Sequence, residues 1–212
     1  MFKGTSASAG IGIGKAVIVE EAELVITRNE VADAEAEIQR FKGALEKTIA
    51  ATQKMADDLA SRVGEKEAEI MQGHMMLLSD PMLTGEIENS VKNDKVNCEF
   101  AIENVCNMYA DMFASMGDEL MQQRATDMRD IKVRMQRTLM GLESVDVSLL
   151  PKGSILVAKD LTPSMTAGIN PENVSGIVTE LGGKTSHSAI LARALEIPAV
   201  VAVNGLMDAV KD

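Results

Sequence analysis

The chain has 212 residues, 46% hydrophobic and 25% charged, the balance of a soluble globular protein with room for one or two domains. A formal net charge of −11, no Trp and 2% aromatic residues argue against nucleic acid, which needs a basic surface and stacking platforms. No apolar run reaches the ~18 residues of a membrane span, and "MFKGTSASAGIGIG" lacks the apolar core of a signal peptide, so a cytoplasmic location is expected.

Residues 1–20 are glycine-rich and end in "KAVIVE", a β-branched run that reads as a strand. From about 29 to 143 the pattern is helical. Ile38, Phe41, Leu45, Ile49, Met55, Leu59 and Val63 recur mostly three or four apart, the stripe of a long amphipathic helix. "SDP" at 79–81 breaks the pattern. Ala101, Ile102, Val105, Tyr109, Met112 and Met116 form a further stripe; Leu120, Met121, Met128, Ile131, Met135 and Leu139 form the next, with Gly141 as a stop. Four or so helices on short links imply a bundle. Cys98 and Cys106 lie about 12 Å apart along a helix, too far for a disulfide, and are expected to be reduced. Two histidines and two unclustered cysteines make no zinc site.

From 150 the pattern changes. "SILVA" (154–158), "GIVT" (176–179) and "AVVAV" (199–203) read as buried strands. Thr162 is a helix N-cap with Pro163 at the first helical position. Strands alternating with helix starts are an α/β pattern. The strand at 15–20 needs partners, and those of the last third suit it best. The economical reading is an α/β domain made of 1–28 and 144–212, with a helical bundle, 29–143, inserted in it.

"LGGKTSHSAILAR" (181–193) carries the candidate chemistry. Thr185 or Ser186 is a good N-cap, which puts His187 in the first turn of a helix. A helix N-terminus offers unpaired N–H groups and about half a positive charge, suited to an anion. Gly182 and Gly183 let the backbone approach closely, and Thr185, Ser186 and Ser188 add hydroxyls. The helix field disfavours an imidazolium there, and a neutral imidazole is a nucleophile. The physical hypothesis is therefore a phosphohistidine: His187 attacks phosphorus and the helix end cradles the phosphoryl group. Spacing alone leaves open a capped helix whose histidine merely satisfies a hydrogen bond. A serine hydrolase is disfavoured, because neighbours on one turn rarely meet as nucleophile and base and there is no G-x-S-x-G elbow.

"GGKTSHSAILAR" followed by "ALEIPAVV" resembles the phosphohistidine signature of enzymes that exchange phosphoryl groups with phosphoenolpyruvate, and "KDLTPSMTA" resembles a second element of the same swivelling α/β domain. "GTSASAGIGIGKA" (4–16), "GHMMLLSDP" (73–81) and "RATDMRDIKVRMQR" (124–137) resemble the N-terminal half of the family's Enzyme I branch. The alternative is a swivelling domain of a pyruvate phosphate dikinase, which lacks the inserted bundle. The rival of another class is a non-catalytic helical interaction module.

The resemblance implies that His187 is phosphorylated through Nε2 and that Thr166 bonds the other ring nitrogen and fixes the tautomer. Arg193 matches the signature arginine; about 120° around the helix from His187, it is ranked behind the phosphate ligands. The resemblance also implies that the bundle docks HPr, a small histidine phosphocarrier with a basic active-site face. The expected contacts are Glu65, Glu67 and Asp80, the apolar Ile70, Met71, Met76, Leu77 and Leu83, and Phe113 and Met121 on neighbouring helices, with His74 as an interface or structural residue. Most of the 15 methionines are expected to fill the core, while Met71, Met76 and Met121 lend the docking face adaptability. No cofactor is expected here; Mg²⁺ is implied only for a C-terminal barrel that also binds phosphoenolpyruvate and dimerises the full-length protein. The chain is expected to be a fragment that ends just short of the α/β domain's end, and to be monomeric.

Overall fold

The computed structural model describes residues 2–210. Met1, Lys211 and Asp212, at the ends of the expected α/β domain, lie outside the described residues. The fold is α/β with a helical bundle between its two sequence ends, in two compact units. The first gathers the N-terminal segment to Ala22, Asp58–Ala68 and the chain from Val145 onward; the second holds Glu23–Asp57 and Glu69–Ser144.

The first unit is built on a five-stranded sheet. Its strands are β1 (Thr5–Ser8), β2 (Lys15–Ile18), β3 (Ser154–Ala158), β4 (Val174–Thr179) and β5 (Ala199–Val201), in the order β1-β5-β4-β3-β2. β2 through β5 run parallel, and β1 is antiparallel to β5. The N-terminal strand "KAVI" thus finds its partner in β3, as an isolated β-branched run must. β1 carries no sequence signal: "TSAS" is short and polar, and becomes a strand only because β5 offers an open edge.

β1 and β2 occupy opposite edges of the sheet, although few residues separate them. The connecting "AGIGIG" crosses the amino ends of the parallel strands with alternate glycines inward. A Cβ on Gly10 would meet the Pro198 ring at 2.7 Å, one on Gly12 the Ser175 carbonyl at 2.5 Å, and one on Gly14 the Gly153 carbonyl far inside contact distance. Ile11 and Ile13 face outward, 88% and 84% exposed.

Helices follow the parallel strands: α6 (Pro163–Ala167) after β3, α7 (His187–Ala194) after β4 and α8 (Leu206–Ala209) after β5. Leu156, Ala158, Ile177, Ala189, Ala192 and Ile197 meet in the core beneath α6 and α7, while Leu206 of α8 packs with Val157 and Val203 in a separate cluster. Burying each large aliphatic side chain contributes roughly 1.5–3 kcal/mol.

The second unit is helical: α1 (Ala34–Arg62), α2 (Glu65–Leu78), α3 (Pro81–Asp94), α4 (Cys98–Ser115) and α5 (Glu119–Met140). The last turn of α1 and the first of α2 belong to the first unit. The apolar stripe runs on to Val63, but Gly64 at φ +127° ends the helix there, in a conformation that side-chain-bearing residues avoid. Asp80 caps α3 by accepting from the Met82 N–H at 2.8 Å, and Gly141 ends α5 at φ +66°. Ile38, Phe41, Leu83, Ile87, Ile102, Met128, Ile131 and Met135 form the core. Glu37 on α1 accepts from the Cys98 N–H at 2.7 Å, so a carboxylate from one helix caps the start of α4. Arg40 joins Glu37 to Glu99. Both cysteines are buried, unbridged thiols. No described helix is long and apolar enough to cross a membrane.

Candidate active site

Three parallel strands deliver their following helices to the same edge of the sheet, the carboxyl edge, where ligands of open α/β sheets bind. β4 ends at Thr179, whose hydroxyl donates to the Leu181 carbonyl at 2.7 Å and turns the chain. Gly182 then takes φ +94°. The space that its missing side chain would fill faces Asp160 Oδ1, Ser186 Oγ and Thr179 Oγ1, each 3.7 Å from a built Cβ. Gly183 has open space on the same measure.

Ser186, not Thr185, is the N-cap of α7. Its Oγ accepts from the Ala189 N–H at 3.3 Å, donates to the Gly183 carbonyl at 2.8 Å and lies 2.9 Å from Ser188 Oγ. One hydroxyl thus ties the glycine turn to the helix start. Ser188 is buried, so it braces the turn from within, while Thr185 is exposed and is the hydroxyl turned to solvent. His187 is the first residue of α7 and is buried, at 8% exposure.

α6 packs against α7. Thr162 caps α6 by accepting from the Met165 N–H, and its Oγ1 lies 3.1 Å from Ser164 Oγ. Thr166 is fully buried and spends its hydroxyl proton on the Thr162 carbonyl at 2.7 Å. Its oxygen is left as an acceptor, the role that a ring N–H requires. Arg193 donates to the Ala7 and Lys184 carbonyls at 3.1 and 3.0 Å. The signature arginine therefore clamps the loop before α7 to β1.

Sequence reasoning missed two polar groups here. Thr179 sits at the carboxyl end of β4, and Asp160 follows β3, its Oδ1 accepting from the Leu161 N–H at 2.9 Å. Asp160 is exposed as a residue, yet crowding around its carboxyl raises it above the usual carboxylate range. Position at a strand's carboxyl end was the available signal. Among the described residues, no group of three His, Cys, Asp or Glu is placed to hold a metal ion.

A family model for the N-terminal part of PEP-utilising enzymes matches residues 3–124, and one for the mobile domain of PEP-utilising enzymes matches 150–212. The chain belongs to the PEP-utilising enzyme family. Within it, the likeness is to the N-terminal part of Enzyme I. The chain is 42% identical over 200 residues to a phosphoenolpyruvate-protein phosphotransferase of Bacillus subtilis and 44% over 200 to one of Listeria monocytogenes. It covers 35% of the length of each, and 94% of the chain is aligned. A solution structure of Enzyme I (nEIt) superposes with a TM-score of 0.84 at 39% identity, over all of this chain and 86% of that one. A second, described as the N-terminal domain of Enzyme 1 - Nitrogen, gives 0.65 at 26% identity over 95% and 83%.

For a member of the PEP-utilising enzyme family, the expected partner contacts on the bundle divide sharply. Met71 and Leu83 are buried, at 0% and 2% exposure, which corrects their placement on a docking face, and His74, at 0%, takes the structural one of its two expected roles. The face of α2 that runs 71–74–78 points inward, where His74 meets α5: Nε2 lies 3.2 Å from Asp127 Oδ1 and Nδ1 3.6 Å from Asp130 Oδ2. Arg124 approaches the second Asp127 oxygen at 3.4 Å. Asp80 is engaged as the α3 cap. Ile70, Leu77, Phe113 and Met121 are half-buried, as is Glu67; Glu65 is exposed.

Met76 is 73% exposed, and Met82, Met112, Met116 and Leu120 are exposed too. Short links join α2 to α3 and α4 to α5, and α4 packs on both α3 and α5, which gathers these residues at one end of the bundle. Sequence spacing assigned Met112, Met116 and Leu120 to inward stripes; Met112 lies in the last turn of α4, Met116 in the link after it and Leu120 in the first turn of α5, where each stripe runs past the end of the core.

Proposed function

We propose that the chain carries a phosphoryl group on His187 and exchanges it reversibly with HPr. The observation that carries this is the turn around His187: a first-turn histidine, a serine-capped helix end, a glycine at φ +94° and a buried threonine acceptor on the adjoining helix. The lone pair of His187 Nε2 attacks phosphorus in line. The donor's P–N bond breaks and its pair returns to the donor imidazole, so no proton is gained or lost across the transfer. Thr166 Oγ1 accepts the Nδ1–H and keeps the lone pair on Nε2. The α7 backbone N–H groups and the Thr185 hydroxyl stabilise charge on the phosphoryl oxygens. Positioning supplies most of the acceleration.

HPr docks on the exposed methionine end of the bundle, where Met76, Met82, Met112 and Met116 adapt to a partner surface. The chain's net charge of −11 suits a basic partner. In a longer protein of the kind the relatives represent, phosphoenolpyruvate is the donor, Mg²⁺ serves the part that binds it, and that part forms the dimer. The chain as it stands is cytoplasmic, monomeric and unable to take phosphoryl from phosphoenolpyruvate unaided. The test is incubation of the chain and His187→Ala with labelled phospho-HPr. Acid-labile, base-stable label on the wild type alone is expected. Equal label on both proteins, or label taken from phosphoenolpyruvate, overturns the proposal.

A further inference from the structure

α6 is a single turn, five residues long, yet it carries Thr166, the acceptor that the proposed transfer assigns to the His187 ring. So short a helix has almost no internal hydrogen bonding to hold it, and its last carbonyls need partners. Some of that need is met by Gly168, whose N–H turns back on the Ser164 and Met165 carbonyls. The rest comes from far away in sequence. Arg62, at the end of α1, donates through Nη1 to the Ile169 carbonyl at 2.6 Å and through Nη2 to the Ala167 carbonyl. Its Nε donates to the Asp58 carbonyl at 3.2 Å, within its own helix. All three guanidinium nitrogens therefore lie on main-chain oxygens, with no carboxylate among the bonds described. A cation at a helix C-terminus also meets the negative end of the helix dipole. A rigid planar fork holds two separate carbonyls in a fixed geometry, which the compact, flexible ammonium of a lysine does not.

We infer that Arg62 is a positioning residue for phosphoryl transfer: it pins the carboxyl end of α6 and so holds Thr166 where the His187 ring needs its acceptor. This rests on the phosphohistidine reading above. The chain of contacts is short: Arg62 to the Ala167 and Ile169 carbonyls, then α6, then α7 packed beside it. Ala167 follows Thr166 directly, so any slackening at the pinned carbonyls moves the Thr166 oxygen itself. Arg62 touches no reacting atom, and its loss leaves the exposed methionine end of the bundle intact. It therefore alters the transfer step and not HPr capture.

The experiment compares wild type, Arg62→Lys, Arg62→Met and His187→Ala in single-turnover transfer from phospho-HPr. In parallel, ¹⁵N NMR of the unphosphorylated chain reads the His187 ring tautomer. Arg62→Met is expected to slow the saturating transfer rate about tenfold, part of the hundredfold that a misplacement near 1 Å can produce. The HPr concentration at half-saturation stays unchanged, and the ring shows a mixed tautomer. Arg62→Lys, which keeps the charge but not the fixed fork, falls between. Wild-type rate and tautomer in Arg62→Met overturn the inference, as does a change confined to half-saturation. The lysine variant and the tautomer decide the matter if the methionine variant does not fold. A wild type that takes no label overturns the phosphohistidine proposal instead, and the tautomer comparison, which needs no donor, still tests Arg62.

Discussion

Ser186 concentrates three interactions in one hydroxyl, and replacing it separates shape from charge. In Ser186→Ala the Ala189 N–H loses its cap, the Gly183 carbonyl loses its donor and Ser188 loses a neighbour. Loss of a serine cap costs about 1 kcal/mol; the Gly183 bond adds about 0.5–1.5 kcal/mol. The α/β unit should lose roughly 1.5–2.5 kcal/mol, read by urea unfolding with a probe in that unit. Exchange of the Ala189 amide should rise in step. Transfer from phospho-HPr should fall as well, because the glycine turn is no longer tied to the helix start. Ser186→Asp is the discriminating partner. Aspartate caps as well as serine, so most of the stability returns, but its charge stands where the phosphoryl group would go and labelling should be nearly abolished. If Ser186→Asp labels like wild type, the anion does not sit at the α7 end and the reasoning fails. If Ser186→Ala unfolds at the wild-type urea concentration, the cap is not what holds this turn.

His74→Leu should destabilise the bundle by about 1–3 kcal/mol, since it removes a buried polar partner of Asp127 and Asp130 on α5; a loss under about 0.5 kcal/mol in urea unfolding would contradict that. Gly14→Ala should cost roughly 2–4 kcal/mol because the new Cβ collides with the Gly153 backbone where β2 meets β3. Gly43→Ala, in α1 with nothing within 4 Å, should stabilise by about 0.5–1 kcal/mol, and the two variants must differ in sign. The hydrogen bond from Arg40 holds Glu37 below its ordinary value, so this stabilisation is present above the unfolded carboxyl value of ~4.3 and is lost as pH falls through the lower folded value. The stability gap between wild type and Glu37→Gln should therefore shrink between pH 7 and pH 3; a gap independent of pH would rule the ion pair out as its source.

Much of this was legible from short-range chemistry. Thr162 before Pro163, Ser186 before an apolar run, "SDP" and Gly141 each act within one turn, and the structure shows each in that role. Features that depend on distant partners were hidden. "TSAS" shows no alternation, and only the open edge of β5 makes it a strand. α2 is apolar nearly all round from Ile70 to Leu78, so its period does not say which face turns inward; His74 is drawn in by two aspartates on α5. Arg193 stands in the signature as a candidate anion ligand, but its Nη1 reaches two carbonyls that no spacing rule would pair with it. Arg62 falls at an unremarkable helix end whose partners lie a hundred residues on.

The strap of alternating glycines has a consequence for the order of assembly. Its two flanking strands are made early, yet Lys15 pairs with Ser154 and Thr5 with Val201, across nearly the whole chain. Contacts of that sequence span form slowly, whereas the helices between them join mainly through neighbours and can pack as soon as they emerge. During synthesis the first strand therefore waits, unpaired, until the last strand exists. Both margins of the sheet then close around an amino-terminal segment that was first to be made and is last to find its place.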